Sequence, residues 1–398
     1  MKHVIWYPGY DVMIPNVVRA AGCYVYDADG NQYLDLESGV WCTAIGHGHP
    51  RIQQVMRQQS ETISHTGFSY STQAVEDAAL EMLALHGFEG GRCTFLSSGS
   101  EAVEFAVRSV QMALQRHLLI TMSDSYFGAY GSASHRPESE WFRFDWFRCG
   151  DGGCNPGCSH FHEIPFDQIG GLVFEPGSSA GLVRFPPKAL IRELAVRVQG
   201  AGGLVVVNEV TTGMGRTGKW FGYQHYDITP DVVVMGKGVG NGYPVSAAAF
   251  SPRAVELLGD QQLKFSQSHQ NDPLGAAIAA EVVRVIRDDE LIAKAETDGA
   301  FLLRGLSRIM TETGRIREIR ARGLMIALEL VDDERCRFSD SVHRELIHRG
   351  YIIARRPGLN VFRIDPPLTV ERSDLAEFLS ELEQVLSRRP NEAKEAGE

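Results

Sequence analysis

Short apolar runs alternate with longer segments of helical periodicity along most of this chain. The candidate strands are residues 118–122, 172–174, 204–207, 232–235 and 246–250. Runs that are apolar throughout, rather than at every second position, are typical of strands buried on both faces of a sheet. Their alternation with helical patterns predicts an α/β fold with a mainly parallel central sheet.

The last third of the chain has a different pattern. Residues 315–320 and 324–330 are predicted to form strands of an antiparallel type, and helices are predicted to follow them. This change indicates a second, smaller α+β domain. The predicted organisation is a large domain at residues 48–288, a small domain formed by residues 1–47 and 289–390, and a disordered polar tail at residues 391–398.

Composition and charge exclude several classes of protein. A formal charge of -11 over 398 residues argues against nucleic acid or an anionic membrane surface as the main partner. No stretch reaches the roughly 18 uninterrupted apolar residues that span a bilayer, and the first residues lack the apolar core of a secretion signal. Seven cysteines, an odd number, favour free thiols. We therefore expect a cytoplasmic enzyme.

Lys237 is the leading candidate for chemistry. It follows the apolar run 232–235 in the turn Met235-Gly236-Lys237-Gly238, so it is predicted to lie at the tip of a buried strand. Desolvation there lowers the pKa of an amine and makes it nucleophilic, as a Schiff base with an aldehyde cofactor requires. A surface lysine in a loop is the alternative interpretation for a lysine taken alone.

The lysine belongs to a longer motif. Its parts are Asn208-Glu209-Val210, Gly213, Gly215-Arg216-Thr217-Gly218, Pro230-Asp231, Lys237 and Gly240-Asn241-Gly242-Tyr243-Pro244. With these parts in this order, the chain resembles the class III, or ω-, aminotransferases, and the resemblance extends over residues 16–370. It implies a fold-type I pyridoxal phosphate transferase: an aminotransferase that acts on small amines and carbonyl compounds, with pyridoxal 5'-phosphate on Lys237.

Ser98, Gly99 and Ser100 begin a predicted helix after a short apolar run. The exposed amides and positive end of a helix attract a phosphate, and glycine permits its close approach. A serine N-cap without a ligand is the alternative. The resemblance favours the phosphate cradle. It also implies that Ser268 reaches the phosphate of a neighbouring subunit, and therefore a homodimer with active sites at its interface.

The resemblance assigns the remaining cofactor contacts to two segments. Tyr126, followed by Phe127, occupies the place of an aromatic residue that stacks on the pyridine ring, with a core tyrosine as the alternative. Val210 is assigned to the opposite ring face. Thr211 stands where many members carry a glutamine near the phenolic oxygen.

Asn208 departs from the family pattern, which has aspartate at this position. An aspartate carboxylate keeps the pyridine nitrogen protonated, whereas a neutral amide cannot stabilise that charge. The main hypothesis remains a ping-pong transfer of an amino group from an amino acid or amine to a keto acid, aldehyde or ketone. Asn208 motivates two alternatives: a pyridoxal phosphate racemase, decarboxylase or lyase, and a catalytically weakened protein with the same fold.

Two residues are predicted on the substrate side. Arg363 matches the family arginine that binds a substrate carboxylate, a role for which its forked guanidinium is suited. A surface arginine is the alternative. Trp41 falls where the family lines the substrate pocket. In family members whose substrate is glutamate, a glutamate side chain of the protein covers the arginine that corresponds to Arg363 when other substrates bind. Ala180 stands at the position of that glutamate side chain here.

Cys149, Cys154, Cys158 and His160 lie close together in a glycine-rich stretch. Three thiols and an imidazole could bind zinc tetrahedrally. The spacings are not those of a paired Cys-x-x-Cys site, so the sequence favours free thiols in a loop, and we predict no metal site.

Overall fold

The structure is a computed structural model, and it describes residues 3–114, 116–150, 153–261 and 263–387. Its strands are β1 (Val17–Ala21), β2 (Tyr24–Asp27), β3 (Gln32–Asp35), β4 (Arg92–Leu96), β5 (Leu118–Met122), β6 (Trp141–Phe144), β7 (Ile169–Phe174), β8 (Leu204–Asn208), β9 (Val232–Met235), β10 (Ser246–Phe250), β11 (Ile316–Arg322), β12 (Met325–Leu330), β13 (Tyr351–Ile352), β14 (Ala354–Arg355) and β15 (Val361–Ile364).

Helices connect these strands along the whole described chain. They are α1 (Ser38–Trp41), α2 (Pro50–Thr62), α3 (Gln73–Ala84), α4 (Gly99–Ala113), α5 (Gly131–His135), α6 (Ser159–His162), α7 (Lys188–Gly200), α8 (Pro252–Leu258), α9 (Pro273–Asp288), α10 (Leu291–Thr313), α11 (Arg337–His348) and α12 (Arg372–Ser387), with 3-10 turns at Gly222–His225 and Lys237–Gly240. Within the described part of the chain, no helix is both long and apolar enough to cross a membrane.

The central sheet has seven strands in the order β4-β10-β9-β8-β7-β5-β6. Strands β9, β8, β7, β5 and β6 pair in parallel, and only β10 runs antiparallel to its two neighbours. Val205 and Val207 face one hydrophobic cluster, while Leu204 and Val206 face another. Burial on both faces explains why these strands are apolar throughout, and the predicted mainly parallel α/β fold is confirmed.

Two four-stranded sheets flank the central one. Their strand orders are β1-β2-β3-β13 and β11-β12-β15-β14. Strand β13 pairs in parallel with β3, so a C-terminal strand completes the sheet formed by the N-terminal strands. The division into domains at residues 48–288 and at 1–47 with 289–390 stays a prediction. Residues 388–390 and the predicted tail at 391–398 lie outside the described residues.

A buried arginine links the central sheet to the C-terminal segment. Arg216, in the loop after β8, is 3% exposed. Its guanidinium donates to the carbonyl oxygens of Leu324, at 3.2 Å, and Pro366, and to Ser38 Oγ at 3.4 Å. Burial lowers the pKa of Arg216 to about 10. The carbonyl oxygens compensate for part of the water that this cation loses on folding.

The turn between β11 and β12 lies against the same loop. Gly323, in that turn, has φ of +54°, and a Cβ placed on it would lie 2.4 Å from Gly218 N. No side chain fits between these two backbone segments, so the close approach requires glycine.

Gly323→Ala should destabilise the protein by about 1–3 kcal/mol more than Gly314→Ala. Gly314 also has a positive φ, +63°, but a Cβ there meets nothing within 4 Å. Both variants therefore incur the backbone strain, and only the first incurs the clash. Urea unfolding of the two variants measures the difference. Equal losses of unfolding free energy would contradict the close approach.

Candidate active site

A cavity of about 370 Å³ lies where strands of the central sheet end beside the start of α4. The residues that line it are Cys42, Ser97, Ser98, Gly99, Ser100, Val103, Tyr126, Phe127, Gly128, Ser179, Asn208, Val210, Thr211, Lys237, Gly242, Tyr243, Pro244 and Val245. Parallel strands bring their carboxyl ends to one edge of a sheet, which is where α/β proteins bind ligands. Nine of the residues predicted from the sequence therefore lie around one space.

The N-terminus of α4 forms one wall of the cavity. Ser98 is the N-cap, and its Oγ accepts from Glu101 N at 3.3 Å. The Glu101 carboxylate in turn accepts from the amides of Ser97, at 2.8 Å, and Ser98, at 3.2 Å. This capping box fixes the first turn of a 15-residue helix, whose positive end favours an anion.

Two glycines allow the walls to approach this helix end closely. A Cβ on Gly99 would lie 2.9 Å from Val210 Cγ1, and a Cβ on Gly128 would lie 2.8 Å from Ser100 Oγ. Ser100 Oγ also accepts from Ala129 N at 3.1 Å, which ties the loop after β5 to α4. The two glycines therefore let the side chains of Val210 and Ser100 pack directly against backbone beside the start of α4.

Tyr126 is held in place through its backbone. Its N donates to Glu175 Oε2 at 3.1 Å, and its carbonyl oxygen accepts from Asn208 Nδ2 at 3.2 Å. Burial raises the pKa of Glu175 to about 7. The Tyr126 ring is 47% exposed, so it presents an aromatic face that no neighbour covers completely. By contrast, the Phe127 ring is buried and stacks on Trp141 at 5.8 Å, although Phe127 does line the cavity.

Asn208 ends β8 and is 4% exposed. Its Oδ1 accepts from Val210 N at 3.2 Å, while Nδ2 donates to Tyr126. Each of these amide atoms has one further hydrogen-bonding position. Thr211 Oγ1 is buried without a hydrogen-bond partner among the described residues. These groups provide neutral polar contacts at the floor of the cavity, and no carboxylate is present at position 208.

Lys237 follows β9 after Gly236 and lines the cavity. Burial lowers the pKa of its amine, and the nearby charge of Arg363 lowers it further, while Cys42 and Glu175 act in the opposite direction. Its φ is +46°, an unfavourable value for a residue with a side chain. In the described part of the chain its amine has no ion-pair or hydrogen-bond partner. A strained backbone therefore holds a desolvated amine that is available to react.

Trp41 and Arg363 form a stacked pair that is not part of the cavity lining. The guanidinium carbon lies 3.7 Å from the centre of the Trp41 ring, and both side chains are buried. Glu37 and Asp365 flank the arginine at 3.9 and 3.8 Å, beyond hydrogen-bonding distance. Burial raises the pKa of Glu37 to about 7, while Arg363 lowers it. The guanidinium thus keeps its donors for another acceptor.

The segment that carries Trp41 is a left-handed turn. Ser38, Gly39, Val40 and Trp41 have φ of 50°, 53°, 62° and 65°. Such a run is unfavourable for L-residues other than glycine, so tertiary contacts must impose it. Ser38 Oγ donates to the carbonyl oxygen of Asp365 at 2.5 Å, which anchors the turn beside β15. Cys42, directly after the turn, reaches the cavity.

Ser268 does not join this group of residues. It is exposed and absent from the cavity lining. Cys42, Ser179 and Tyr243 also line the cavity, and they were not among the site residues predicted from the sequence. Signals for them existed: Cys42 adjoins Trp41, and Tyr243 belongs to the glycine-rich segment after the lysine.

Comparison with known proteins decides the family. The family model described as "Aminotransferase class-III" matches residues 6–134 and 159–386. The chain belongs to this family. Membership of the family makes it a pyridoxal phosphate-dependent aminotransferase that acts on small molecules. The cofactor expected from the sequence, pyridoxal 5'-phosphate, is thereby confirmed for the family to which the chain belongs.

Individual relatives carry different names. An acetylornithine aminotransferase of Methanopyrus kandleri is 30% identical over 386 residues, 93% of this chain and 94% of the relative. A leucine/methionine racemase of Thermococcus litoralis is 28% identical over 403 residues, 93% and 90% of the two chains. The crystal structure of a Bacillus anthracis aminotransferase superposes with a TM-score of 0.88 at 24% identity, covering 98% and 97%. The last likeness concerns the fold alone.

The residues around the cavity of this class III aminotransferase fit the cofactor. The N-terminus of α4, which lines the cavity at Ser98, Gly99 and Ser100, suits a phosphate, and the half-exposed Tyr126 suits an aromatic face. The hydroxyl of Thr211 is a buried group that still needs a partner. Lys237 supplies the amine for an aldehyde.

The apo protein should react with pyridoxal phosphate at Lys237 with a rate that rises with pH and levels off below 10.5, the ordinary lysine pKa. Only the neutral amine attacks an aldehyde, and a lowered pKa provides that form at lower pH. Absorbance kinetics over a pH series measure the rate of this reaction. Borohydride trapping and peptide mapping identify the residue that has reacted.

Arg363→Gln should move the midpoint of this pH profile upward. Removing a nearby positive charge makes protonation of Lys237 easier. A wild-type midpoint at the ordinary lysine value would contradict the desolvated environment of the amine.

Proposed function

We propose that this protein transfers an amino group from an amino acid or amine to a keto acid, aldehyde or ketone by a ping-pong mechanism. Lys237 would hold pyridoxal phosphate through a Schiff base in the 370 Å³ cavity. The observation that carries the proposal is the convergence of a helix N-terminus, an aromatic face and a desolvated lysine on this cavity. The bound cofactor would take up the amino group from the donor and release it to the acceptor.

Each wall of the cavity has a proposed role in holding the cofactor. Ser98, Gly99 and Ser100 would bind the phosphate at the positive end of α4. Tyr126 and Val210 would lie on opposite faces of the ring, because they line the cavity from separate segments. For Phe127 the support is limited to its place in the lining, since its ring stacks on Trp141.

Asn208 and Thr211 would bind the polar edge of the ring through neutral groups. The Asn208 amide has both a donor and an acceptor position left after its contacts with Tyr126 and Val210. It can therefore donate to an unprotonated pyridine nitrogen. It supplies no charge that would hold a proton there.

Lys237 would also carry out the proton transfer. Burial lowers the pKa of its amine, which favours the neutral form that can take a proton from the donor carbon. Arg363 would bind the substrate carboxylate, because its guanidinium is buried, stacked on Trp41 and separated from its acidic neighbours by 3.8 Å or more. Trp41 would act through Arg363.

We also propose a cytoplasmic homodimer with active sites at the subunit interface. Ser268 supports the dimer, since it is exposed and the next residue, His269, lines a pocket together with the cavity residue Tyr243. A neighbouring subunit can reach it there. The acidic composition and the seven free cysteines support the cytoplasmic location, because the cytoplasm is a reducing compartment in which thiols stay free.

The holoenzyme should show a cofactor absorbance band that converts to the pyridoxamine form when a suitable amino donor is added. Lys237→Ala should abolish the covalent band and lower the rate of conversion by about 10²- to 10⁴-fold, the usual contribution of a general acid–base group. A panel of donors in a spectrophotometer measures both effects and identifies the donor class.

Lys219→Ala is the matched control for that experiment. Lys219 is an exposed lysine near the same motif, and it donates to the carbonyl oxygen of Gln224, outside the cavity. Its variant should keep the band and the rate. Covalent cofactor that remains in Lys237→Ala would refute the proposed attachment site.

A racemase is the second candidate function. Two observations favour it: the neutral Asn208, and the 28% identical leucine/methionine racemase of Thermococcus litoralis. A weaker positive charge on the pyridine ring changes which bond breaks and where the proton returns.

Asn208→Asp should raise the rate of amino-group transfer and tighten cofactor binding by about tenfold, since a hydrogen bond to a charged group is worth about 1.5–3 kcal/mol. Asn208→Leu, which removes the contact, should weaken binding. The keto product and the cofactor dissociation constant are measured for the wild type and both variants.

The reaction of one enantiomer of an amino acid in deuterated water separates the candidate functions. Transamination yields a keto acid. Deuterium uptake with loss of optical purity and no keto product would contradict the aminotransferase proposal and support the racemase.

A further inference from the structure

The loop between β6 and α6 lies outside the family pattern. The family match ends at residue 134 and resumes at residue 159, so residues 135–158 are not part of it. Three of the seven cysteines, Cys149, Cys154 and Cys158, fall in this stretch, and His160 follows two positions later. None of the four lines the cavity described above. Whatever they do is separate from the cofactor contacts.

The structure brings these four side chains to one point. The Sγ atoms of the three cysteines and a ring nitrogen of His160 all lie within 4.8 Å of one another. Cys149 Sγ lies 3.3 Å from His160 Nδ1 and 3.0 Å from Cys154 Sγ. Zinc–ligand bonds of 2.0–2.3 Å in a tetrahedron place neighbouring ligand atoms roughly 3.5–3.8 Å apart. Small movements would therefore complete a tetrahedral site.

We propose that Cys149, Cys154, Cys158 and His160 bind one zinc ion. Three thiolates and an imidazole match the ligand preference of Zn²⁺ and are unsuited to Mg²⁺ or Ca²⁺. Four protein ligands leave no open position, so the site is structural. The sequence favoured free thiols because the spacings are irregular, and it is the fold of the loop that brings the thiols together.

The backbone around the ligands supports a fixed site. Cys158 is the N-cap of α6, and its Sγ accepts from Phe161 N at 3.4 Å, as an outer-shell donor to a metal-bound thiolate would. Cys154 is fully buried, and its N donates to the carbonyl oxygen of Trp146 at 2.7 Å. Gly153, with φ of +66°, provides the turn before Cys154. The loop is therefore built to hold Cys154 and Cys158 in place.

The zinc would link this loop to the active-site region. Trp146 Nε1 donates to Asp124 Oδ1 at 3.0 Å, and Asp124 lies two residues before Tyr126. Phe147 packs between Trp146, at 3.8 Å, and the guanidinium of Arg184, at 4.4 Å. A metal held by Cys149, Cys154, Cys158 and His160 would therefore support the segment that positions Tyr126.

Metal analysis of the purified full-length protein tests the proposal. The wild type, isolated with reductant and without chelator, should carry one zinc ion per chain by mass spectrometry. Cys158→Ser and His160→Gln should each weaken zinc binding by about tenfold or more, since the loss of an outer-shell partner alone costs 10–100-fold. His162→Gln is the matched control, because His162 is exposed in the same helix and outside the cluster.

Cobalt substitution provides a measurement that needs no variant. Wild-type protein in which Co²⁺ replaces the metal should show thiolate-to-cobalt charge transfer and the visible bands of tetrahedral cobalt. The proposal would be wrong if metal-free wild type shows no such spectrum after Co²⁺ is added, and this includes a metal-free form with a Cys149–Cys154 disulfide. It would also be wrong if Cys158→Ser, His160→Gln and His162→Gln all retain zinc equally.

Discussion

The buried charge of Arg216 is the constraint on which the arrangement of the site depends. A fully desolvated guanidinium is costly unless its donors are satisfied, and here the acceptors come from Leu324, Pro366 and Ser38. These lie at the start of β12, after β15 and in the left-handed turn. Since Arg216 itself follows β8, one cation ties the strand that ends in Asn208 to the segments that carry Trp41 and Arg363.

Backbone strain also occurs at this place. The left-handed turn at Ser38–Trp41 and the positive φ of Lys237 are conformations that local preferences disfavour. They persist because neighbouring contacts, such as Ser38 Oγ to Asp365, hold them. The result is a lysine that lines the cavity after β9 and an arginine on β15 whose charge acts on it.

Much of this could be predicted from the sequence because parallel strands end at a common edge. Runs of valine identify the buried strands β8 and β9. Asn208, at the end of β8, and Lys237, just after β9, are therefore expected at the same edge of the sheet. The start of α4 can be predicted from the serine N-cap and the glutamate three residues later. These signals are local in the sequence, and the fold brings the ends of these strands and the start of α4 together.

Other features depend on contacts between distant segments, which no local pattern encodes. The stacking of Arg363 on Trp41 joins a residue of β15 to a left-handed turn that backbone preferences disfavour. The approach of Cys149 to His160 depends on how a loop with irregular cysteine spacing folds over Trp146. In both cases the sequence identifies the residues and leaves their partners open.

In the proposed reaction, Arg363 would connect the binding of a substrate carboxylate to the reactivity of Lys237. Its positive charge helps to keep the lysine pKa low, and its donors are not hydrogen-bonded to Glu37 or Asp365. A carboxylate bound there would neutralise that charge and let the lysine pKa rise. In the proposed reaction the amine would therefore be a stronger base once the substrate is bound, which is the stage at which it has to accept a proton.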